Sequence, residues 1–307
     1  MLLKCVQLLC VTAIIVAVYF PTRHARHYDY IAIENALKEV VLQSPFSSRR
    51  DLKSCTYEDV ILNSQPVPMD NITGQQDFIP PLPGGEFKPF DCIPLIKTAL
   101  VIPYRNRIEQ LNIFVNYMHQ FLQRQNIHYR IIVVEQNDTL PFNRAKMLNF
   151  GAKLAMDLNY SCLILHDVDL IPLATGNLYG CLSKPRHMSS SLDTFRYNLP
   201  YLTLFGGAIA ILSDQFKDVN GMSNSFYGWG GEDDDFYQRL KIHHLLPCRF
   251  DPNLSKYTML VHRKQPKNSN RFKNLKNSLE NSYDGLKTLS RKYSVFSEDL
   301  FTRIVSS

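Results

Sequence analysis

The middle of this 307-residue chain shows a regular alternation of two hydrophobic patterns. Short, uninterrupted apolar runs at 98–103, 129–134 and 162–166 are typical of buried parallel strands. Between them, residues 108–123 and 143–158 repeat apolar side chains at a spacing near 3.6, which predicts two helices. Strands that alternate with helices predict an α/β fold with a mostly parallel central sheet.

The first twenty residues follow a different pattern. Residues 5–20 carry no charge and lie between Lys4 and Pro21. Because the exit residues Tyr19 and Phe20 are poor signal-peptidase substrates, we interpret the run as an uncleaved membrane anchor, on the short side for a span. The expected organisation is therefore a cytosolic tail at 1–4, a transmembrane segment at 5–20, a lumenal stem at 21–54 and a globular domain at 55–307.

Composition and charge change this picture little. Hydrophobic residues make up 45% of the chain and charged residues 20%, as in an ordinary globular protein. The net charge of +6 is spread without a basic run, which favours a solvated surface and gives no indication of nucleic-acid binding. An odd number of cysteines outside the anchor, on a secretory route, indicates two disulfides and one free thiol among Cys55, Cys92, Cys162, Cys181 and Cys248.

The loops after the predicted strands are where ligands of such sheets bind. After the first strand come Arg105 and Arg107, which could grip a nucleotide phosphate, although two surface arginines are the simpler interpretation. After the third strand come Asp167 and Asp169. Paired carboxylates at a strand end can hold Mg²⁺ or Mn²⁺ against a diphosphate, but aspartates also cap turns.

The segment 227–235 is the sharpest chemical feature. It contains the only tryptophan, Trp229, among three glycines, followed by four consecutive acids at 232–235. Adjacent carboxylates repel one another, so a purely structural role is costly, whereas an aromatic face beside carboxylates suits a sugar site. Met259 and His262 close a late apolar run and, taken alone, indicate ordinary core and surface residues, since a thioether is a soft ligand.

Six blocks in one order give the chain a resemblance to the β-1,4-galactosyltransferase family, which includes the invertebrate β-1,4-N-acetylgalactosaminyltransferases. The resemblance runs over residues 92–281 and is carried by 103–107, 142–146, 167–172, 205–207, 228–235 and 259–262. It implies a nucleotide-sugar-binding fold of the GT-A type in 55–307, a type II anchor in the Golgi membrane, and Mn²⁺-dependent transfer with inversion.

The resemblance also implies roles for individual residues. It makes Asp233 the catalytic base, assisted by Glu232, and it assigns the metal to Asp169, Met259 and His262, against the ordinary interpretation of the last two. It implies disulfides Cys55–Cys92 and Cys162–Cys181, with Cys248 free. The acceptor sugar would contact Gly231, Glu232, Asp233, Asp234 and Arg271. The UDP-sugar would contact Pro103, Arg105, Arg107, Phe142, Asn143, Arg144, Val168, Asp169, Leu204 and Trp229.

Departures from the family pattern concern donor and acceptor. Thr194 replaces a lysine of many members, and Leu204 replaces the tyrosine of the vertebrate enzymes, which favours UDP-GalNAc over UDP-Gal as donor. The expected acceptor is the 4-hydroxyl of a terminal β-linked GlcNAc on a glycan. His166 and residues 221–224 are similar to the xylose-directed branch, so a proteoglycan-linker galactosyltransferase is one alternative. An inactive sugar-binding relative is the other.

Overall fold

The computed structural model describes residues 2–24, 29–44, 52–74, 77–262, 268–280, 283–289 and 293–306. The helices are α1 (Leu2–His24), α2 (Ile33–Glu39), α3 (Glu58–Leu62), α4 (Ile108–Gln123), α5 (Arg144–Asp157), α6 (Ser213–Asp218), α7 (Glu232–Ile242) and α8 (Arg271–Glu280). The strands are β1 (Glu86–Phe87), β2 (Lys97–Tyr104), β3 (His128–Gln136), β4 (Cys162–His166), β5 (Leu170–Pro172), β6 (Arg186–His187), β7 (Ser191–Leu192), β8 (Ala208–Leu212), β9 (Lys256–Met259), β10 (Tyr293–Ser297) and β11 (Thr302–Ser306).

The central sheet has the order β10-β11-β3-β2-β4-β8-β6, with β1 beside β3. Its centre, β11-β3-β2-β4, is parallel, whereas β8, β6, β10 and β1 pair antiparallel. The α/β prediction is confirmed, but the sheet is mixed, with parallel pairing confined to its centre. The β10–β11 edge of the sheet is antiparallel because a short hairpin joins these two strands, and a short connection can only make an antiparallel pair.

The predicted strands and helices of the middle of the chain lie close to their expected positions. Strands β2, β3 and β4 are almost wholly buried, as their continuous apolar runs predict. Helix α5 lies so close to the sheet that a Cβ atom at Gly151 would come within 2.3 Å of Val101 Cγ1. Because β2, β3 and β4 run parallel, their carboxyl ends lie at the same edge of the sheet, and helices pack against the face of the sheet next to that edge.

The N-terminal region contains the segments predicted to be a membrane anchor and a stem. The predicted span 5–20 lies inside α1, but in the part of the chain that the structure describes no helix is long and apolar enough to cross a membrane. The expected stem falls partly on residues 25–28 and 45–51, which lie outside the described ranges.

Residues 29–44, which we expected to belong to the stem, pack against the globular domain. Ala36 in α2 is only 1% exposed and belongs to the main hydrophobic core. The backbone of this segment bonds to the domain at four places: Ile31 N–H donates to Arg249 O, Val41 N–H to Cys181 O and Gln43 N–H to Leu95 O, and Glu39 O accepts from Ser183 N–H. Helix α2 and its flanks therefore form a strap on the domain surface.

Both implied disulfides are present. Cys55 is bonded to Cys92, and Cys162 to Cys181, while Cys248 is a free thiol. The first bond ties the segment before α3 to the stretch leading into β2. The second ties the start of β4 to the strand-rich loop that follows it. The first bond therefore joins two loop-rich segments, and the second fastens a loop to the central sheet at β4.

The packing of α2 leads to a stability prediction. Ala36→Asp in the full chain buries an unpaired carboxylate, which costs several kcal/mol in a core position. We expect a clearly lower Tm by calorimetry, whereas Glu34→Ala, at an exposed position of the same helix, changes stability by no more than about 0.5 kcal/mol. Equal effects of the two substitutions would show that α2 does not contribute to the core.

Candidate active site

An acidic centre lies where β2 and β4 end. Asp169 follows β4 and is 7% exposed. Its Oδ2 atom lies 2.5 Å from Arg107 Nη1 and 3.1 Å from His262 Nδ1. Of the two arginines after β2, Arg107 is therefore directed at the carboxylate instead of at solvent.

A small ladder brings the candidate metal ligands together. Strand β5 pairs antiparallel with β9, which sets Met259 opposite Leu170. The backbone N–H of Leu260 donates to Asp169 O at 2.7 Å. Asp193 supports β9 from its other side, where its carboxylate accepts from the Met259 N–H at 3.2 Å and from the Thr258 hydroxyl. Main-chain pairing thus brings Asp169 beside Met259 and His262, which lie much later in the sequence.

The donor set fits a divalent cation. Burial, followed by the charge of Asp167, raises the pKa of Asp169, whereas Arg107 and His262 act in the opposite direction. A buried carboxylate beside another acid favours a nearby positive charge, and carboxylate and imidazole are suitable Mn²⁺ ligands. Across the described ranges, no three His, Cys, Asp or Glu side chains form a metal-binding group. Further ligands would come from Met259 or from substrate oxygens.

Arg144 provides the positive charge of the site. It is the first residue of α5, and its Nε donates to Asp167 Oδ1 at 2.6 Å. Burial disfavours its charged form, but the nearby Asp167 and Glu232 raise the pKa of Arg144 overall. Its Nη2 contacts Gly207 O at 3.3 Å, and its Nη1 is buried and has no hydrogen-bond partner within the ranges that the structure describes. Such a nitrogen at a helix N-terminus is suited to bind an anionic oxygen.

The other predicted UDP contacts differ in how available they are. Arg105 donates to Leu140 O at 2.7 Å, and its guanidinium lies 5.4 Å from the Phe142 ring. Asn143 caps α5 by accepting the Lys146 N–H, and its own amide donates to a loop carbonyl. Two of the remaining predicted contacts, Pro103 and Val168, are buried within the protein.

Helix α7 separates the four consecutive acids. It begins after Gly231, whose φ of 99° lies in the left-handed region that glycine favours. Asp235 points into the core and pairs with Arg239 Nε at 2.9 Å. The Tyr201 hydroxyl donates to Asp234 Oδ1 at 3.2 Å. Because successive helical residues point in different directions, only the first three acids, 232–234, face the site.

Glu232 and Asp233 are the carboxylates that the protein leaves available. Glu232 Oε2 is buried without a hydrogen-bond partner in the described part of the chain. Burial, followed by the charge of Asp233, raises the pKa of Glu232 to about 7. Burial and the neighbouring Asp234 likewise raise the pKa of Asp233, and Arg144 opposes the shift in both. Asp233 lies against the turn formed by residues 201–207. A Cβ atom at Gly206 in this turn would be only 2.7 Å from Asp233 Oδ2.

The segment around Trp229 contacts the start of α8. Trp229 is 52% exposed, and its carbonyl accepts the Asn268 N–H at 3.1 Å. A Cβ atom at Gly230 would lie 3.3 Å from Arg271 Cδ, so this arginine reaches the predicted acceptor side. The loop that follows His262 includes residues 263–267, which lie outside the described ranges.

Two features of the site escaped the sequence analysis. Asp167 was grouped with Asp169 as a metal motif, but in the structure it binds Arg144. Arg249 gave no local signal, yet its Nη2 donates to the carbonyls of Leu202 and Leu204. A partner for Asp167 could have been sought from charge balance alone, whereas nothing near Arg249 in sequence indicates its contacts.

Comparisons with known proteins identify the family of this chain. Residues 53–182 match the model described as the N-terminal region of glycosyl transferase group 7, and residues 186–263 match the N-terminal domain of galactosyltransferase. β-1,4-Galactosyltransferase 2 of Cricetulus griseus is 36% identical over 252 residues, which are 80% of this chain and 68% of that protein. The chain belongs to the β-1,4-galactosyltransferase family. This confirms the resemblance inferred from the six blocks.

Other relatives differ in the share that is matched. β-1,4-Galactosyltransferase 1 of Bos taurus is 39% identical over 80% of this chain, and β-1,4-galactosyltransferase 6 of Rattus norvegicus is 41% identical over 72%. The matched regions span only 64% and 59% of those proteins. The solved catalytic domain of Drosophila β-1,4-galactosyltransferase 7 with xylobiose is 31% identical, with a TM-score of 0.57, and the match covers 68% of this chain and 92% of that one. A mutant of that enzyme was solved with manganese, UDP-Gal and xylobiose.

The raised pKa of Glu232 predicts a pH-dependent cost to stability. The folded state holds this proton more tightly than the unfolded chain, so stability falls as pH rises from about 4.3 through about 7. Glu232→Gln removes that loss. We expect the variant to gain Tm over wild type at pH 8, by roughly 2–4 °C for each kcal/mol in a chain of this size, and to gain less at pH 5.

A matched control is Glu109→Gln, which alters an exposed glutamate in the first turn of α4. Its Tm difference from wild type should not grow between pH 5 and pH 8. A Glu232→Gln variant that is less stable than wild type at pH 8 would contradict the prediction.

Proposed function

We propose that this protein is an inverting β-1,4-glycosyltransferase that transfers GalNAc or Gal from its UDP conjugate to the 4-hydroxyl of a terminal β-linked GlcNAc. One observation carries the proposal. Arg144 Nη1 and Glu232 Oε2 are buried polar atoms that find no partner among the described residues, the first suited to a phosphate and the second to a sugar hydroxyl. Family membership supports the same chemistry.

On the donor side, the proposed UDP contacts are positive or aromatic. Arg144 would donate from its Nη1 to a phosphate oxygen. Arg107 lies against Asp169, so it would contact the same diphosphate that lies beside Asp169. Phe142 with Arg105 would offer a flat surface to the nucleobase or ribose. Mn²⁺ held by Asp169, His262 and Met259 would supply positive charge to the diphosphate leaving group.

On the acceptor side, Asp233 is the proposed base. Its carboxylate would accept the proton of the 4-hydroxyl while that oxygen forms a bond to the donor's first carbon and UDP leaves from the opposite face. One displacement inverts the configuration, from α in the donor to β in the product. Glu232, Asp234 and Arg271 would fix the acceptor ring by hydrogen bonds, and the exposed Trp229 would cover the bound sugars.

The compartment follows from the cysteine chemistry. Two disulfides persist only in an oxidising environment, which supports a secretory compartment such as the Golgi lumen for the catalytic domain. The acceptor would then be a glycan of a glycoprotein or glycolipid in transit.

Two alternatives receive less support. His166, which is similar to the xylose-directed branch, is fully buried, and its Nε2 lies 2.9 Å from the Tyr179 hydroxyl. A side chain packed in the core cannot select the acceptor, so this likeness does not favour xylose. An inactive sugar-binding relative is disfavoured because Asp169, Asp233 and His262 are all present and two of them are in contact.

The experiment that tests the function is a transfer assay with the purified full chain. UDP-GalNAc and UDP-Gal are each offered with a β-GlcNAc acceptor and with a β-xyloside, with Mn²⁺ and after treatment with a chelator. We expect transfer to β-GlcNAc that requires Mn²⁺. Transfer confined to the xyloside, or full activity after chelation, would refute the proposal.

Asp233→Asn provides the matched inactive variant. Because a positioned general base is worth about two to four orders of magnitude, its kcat should fall by that factor while UDP binding, measured by calorimetry, stays close to wild type. A fall of less than about tenfold would mean that another residue takes the proton.

Donor choice leads to a separate prediction. Leu204 is half-buried in the turn beside Asp233, where a leucine leaves apolar room for the acetyl methyl of GalNAc. We expect UDP-GalNAc to be used at least as well as UDP-Gal, and Leu204→Tyr to shift the kcat/KM ratio towards UDP-Gal by about tenfold or more. Leu202→Tyr, at an exposed position of the same turn, is the control. A strong wild-type preference for UDP-Gal that Leu204→Tyr leaves unchanged would contradict the prediction.

A further inference from the structure

The turn 201–207 lies between the two substrates of the proposed reaction. It carries Leu204, assigned above to donor choice, and Gly206, which lies against Asp233. The turn is not part of a strand or helix, so its shape depends on contacts from other elements. Gly207 is held by Arg144 and by the Asp167 N–H, whereas the carbonyls of Leu202 and Leu204 are both held by one buried residue outside the turn.

That residue is Arg249, which is 5% exposed. Its Nη2 donates to Leu202 O at 2.8 Å and to Leu204 O at 3.1 Å. Its Nε lies 3.3 Å from His187 Nδ1, on strand β6. Because a guanidinium presents several N–H groups in one rigid plane, it can hold both carbonyls and the imidazole at the same time, which an ammonium cannot do.

His187 extends the contact to the base. Burial, followed by the charge of Arg249, lowers the pKa of His187 to about 3, so the ring is neutral. With Nδ1 accepting from Arg249, the ring proton lies on Nε2, which donates to Gly206 O at 3.0 Å. The Ser189 hydroxyl donates to the same carbonyl at 3.2 Å. Arg249 therefore supports both ends of the turn, one directly and one through His187.

We propose that Arg249 is a positioning residue that sets donor selection, because it holds the backbone of Leu204 directly and that of Gly206 through His187. The proposal rests on the proposed function. The strap reaches the same place, since the Ile31 N–H donates to Arg249 O at 2.8 Å. One guanidinium would then fix two distances, that from Leu204 to the donor sugar and that from Gly206 to Asp233.

The test compares Arg249→Lys and Arg249→Met with a matched control, Arg186→Lys, in the full chain. Arg186 is also buried and precedes His187 on strand β6. Its side chain, however, donates to Asn177 and to main-chain carbonyls away from the turn. The measurements are Tm, kcat and KM for UDP-GalNAc and UDP-Gal. We expect the Arg249 variants to change the donor kcat/KM ratio by about tenfold, the lower end for a pocket contact, mainly through KM. Arg186→Lys should lower Tm and leave the ratio within about twofold.

The outcomes separate the inference from the proposed function. If the wild type transfers neither sugar, the proposed function fails. If the wild type is active and folded Arg249 variants keep its donor ratio, the inference is overturned. It is also overturned if Arg186→Lys shifts the ratio equally, since the effect would then report general loosening.

A second pair of variants keeps the test decisive if the Arg249 variants do not fold. His187→Leu keeps the volume but removes both bonds, whereas His187→Gln can still donate to Gly206 and accept from Arg249. We expect His187→Leu to change the donor kcat/KM ratio by about tenfold and His187→Gln to restore most of the wild-type ratio. Equal donor ratios for the two folded variants would overturn the inference.

Discussion

The charge balance around Arg144 is the interaction on which the site depends. Three carboxylates, from Asp167, Glu232 and Asp233, act on this guanidinium from a strand end and from the start of α7. Without a buried cation, these acids could not share one sheet edge, since like charges in a low dielectric raise each other's pKa and favour neutral forms. Arg144 is itself fixed by its position at the first turn of α5, so the balance is built into the helix-sheet packing.

This balance is incomplete, and the incompleteness is consistent with a substrate site. Among the residues that the structure describes, Arg144 Nη1 and Glu232 Oε2 are buried without partners, each at a cost of roughly 1–3 kcal/mol. The hydrophobic cores on the two faces of the sheet stabilise the fold and offset that cost. The metal side follows the same logic, since Asp169 is buried with two cationic or protonatable neighbours around one carboxylate oxygen.

Hydrogen bonds and strand pairing connect the site to distant parts of the chain. The strap formed by residues 29–44 bonds to the main chain at Arg249, whose side chain holds the turn that carries Leu204. A segment near the N-terminus is therefore connected to the turn 201–207 through a single residue. The backbone of β9 plays a similar part for the metal side, since its pairing with β5 sets Met259 and His262 beside Asp169.

Some of this protein could be predicted from its sequence because the relevant physics is local. Helix α4 and strands β2, β3 and β4 follow from hydrophobic periodicity, which depends only on neighbouring residues. The six blocks were sufficient for the family, and the pairing Cys55–Cys92 followed from the resemblance and is confirmed.

Only the tertiary structure decided which of the candidate residues meet. The run at 232–235 reads as one acidic cluster, but helical geometry sends Asp235 to Arg239 in the core and leaves the other three at the site. Asp167 and Asp169 look equivalent in sequence, yet one binds Arg144 and the other Arg107 and His262. The packing of the strap and the role of Arg249 were equally hidden. These outcomes depend on long-range contacts and burial, and neither property is encoded in the identity of adjacent residues.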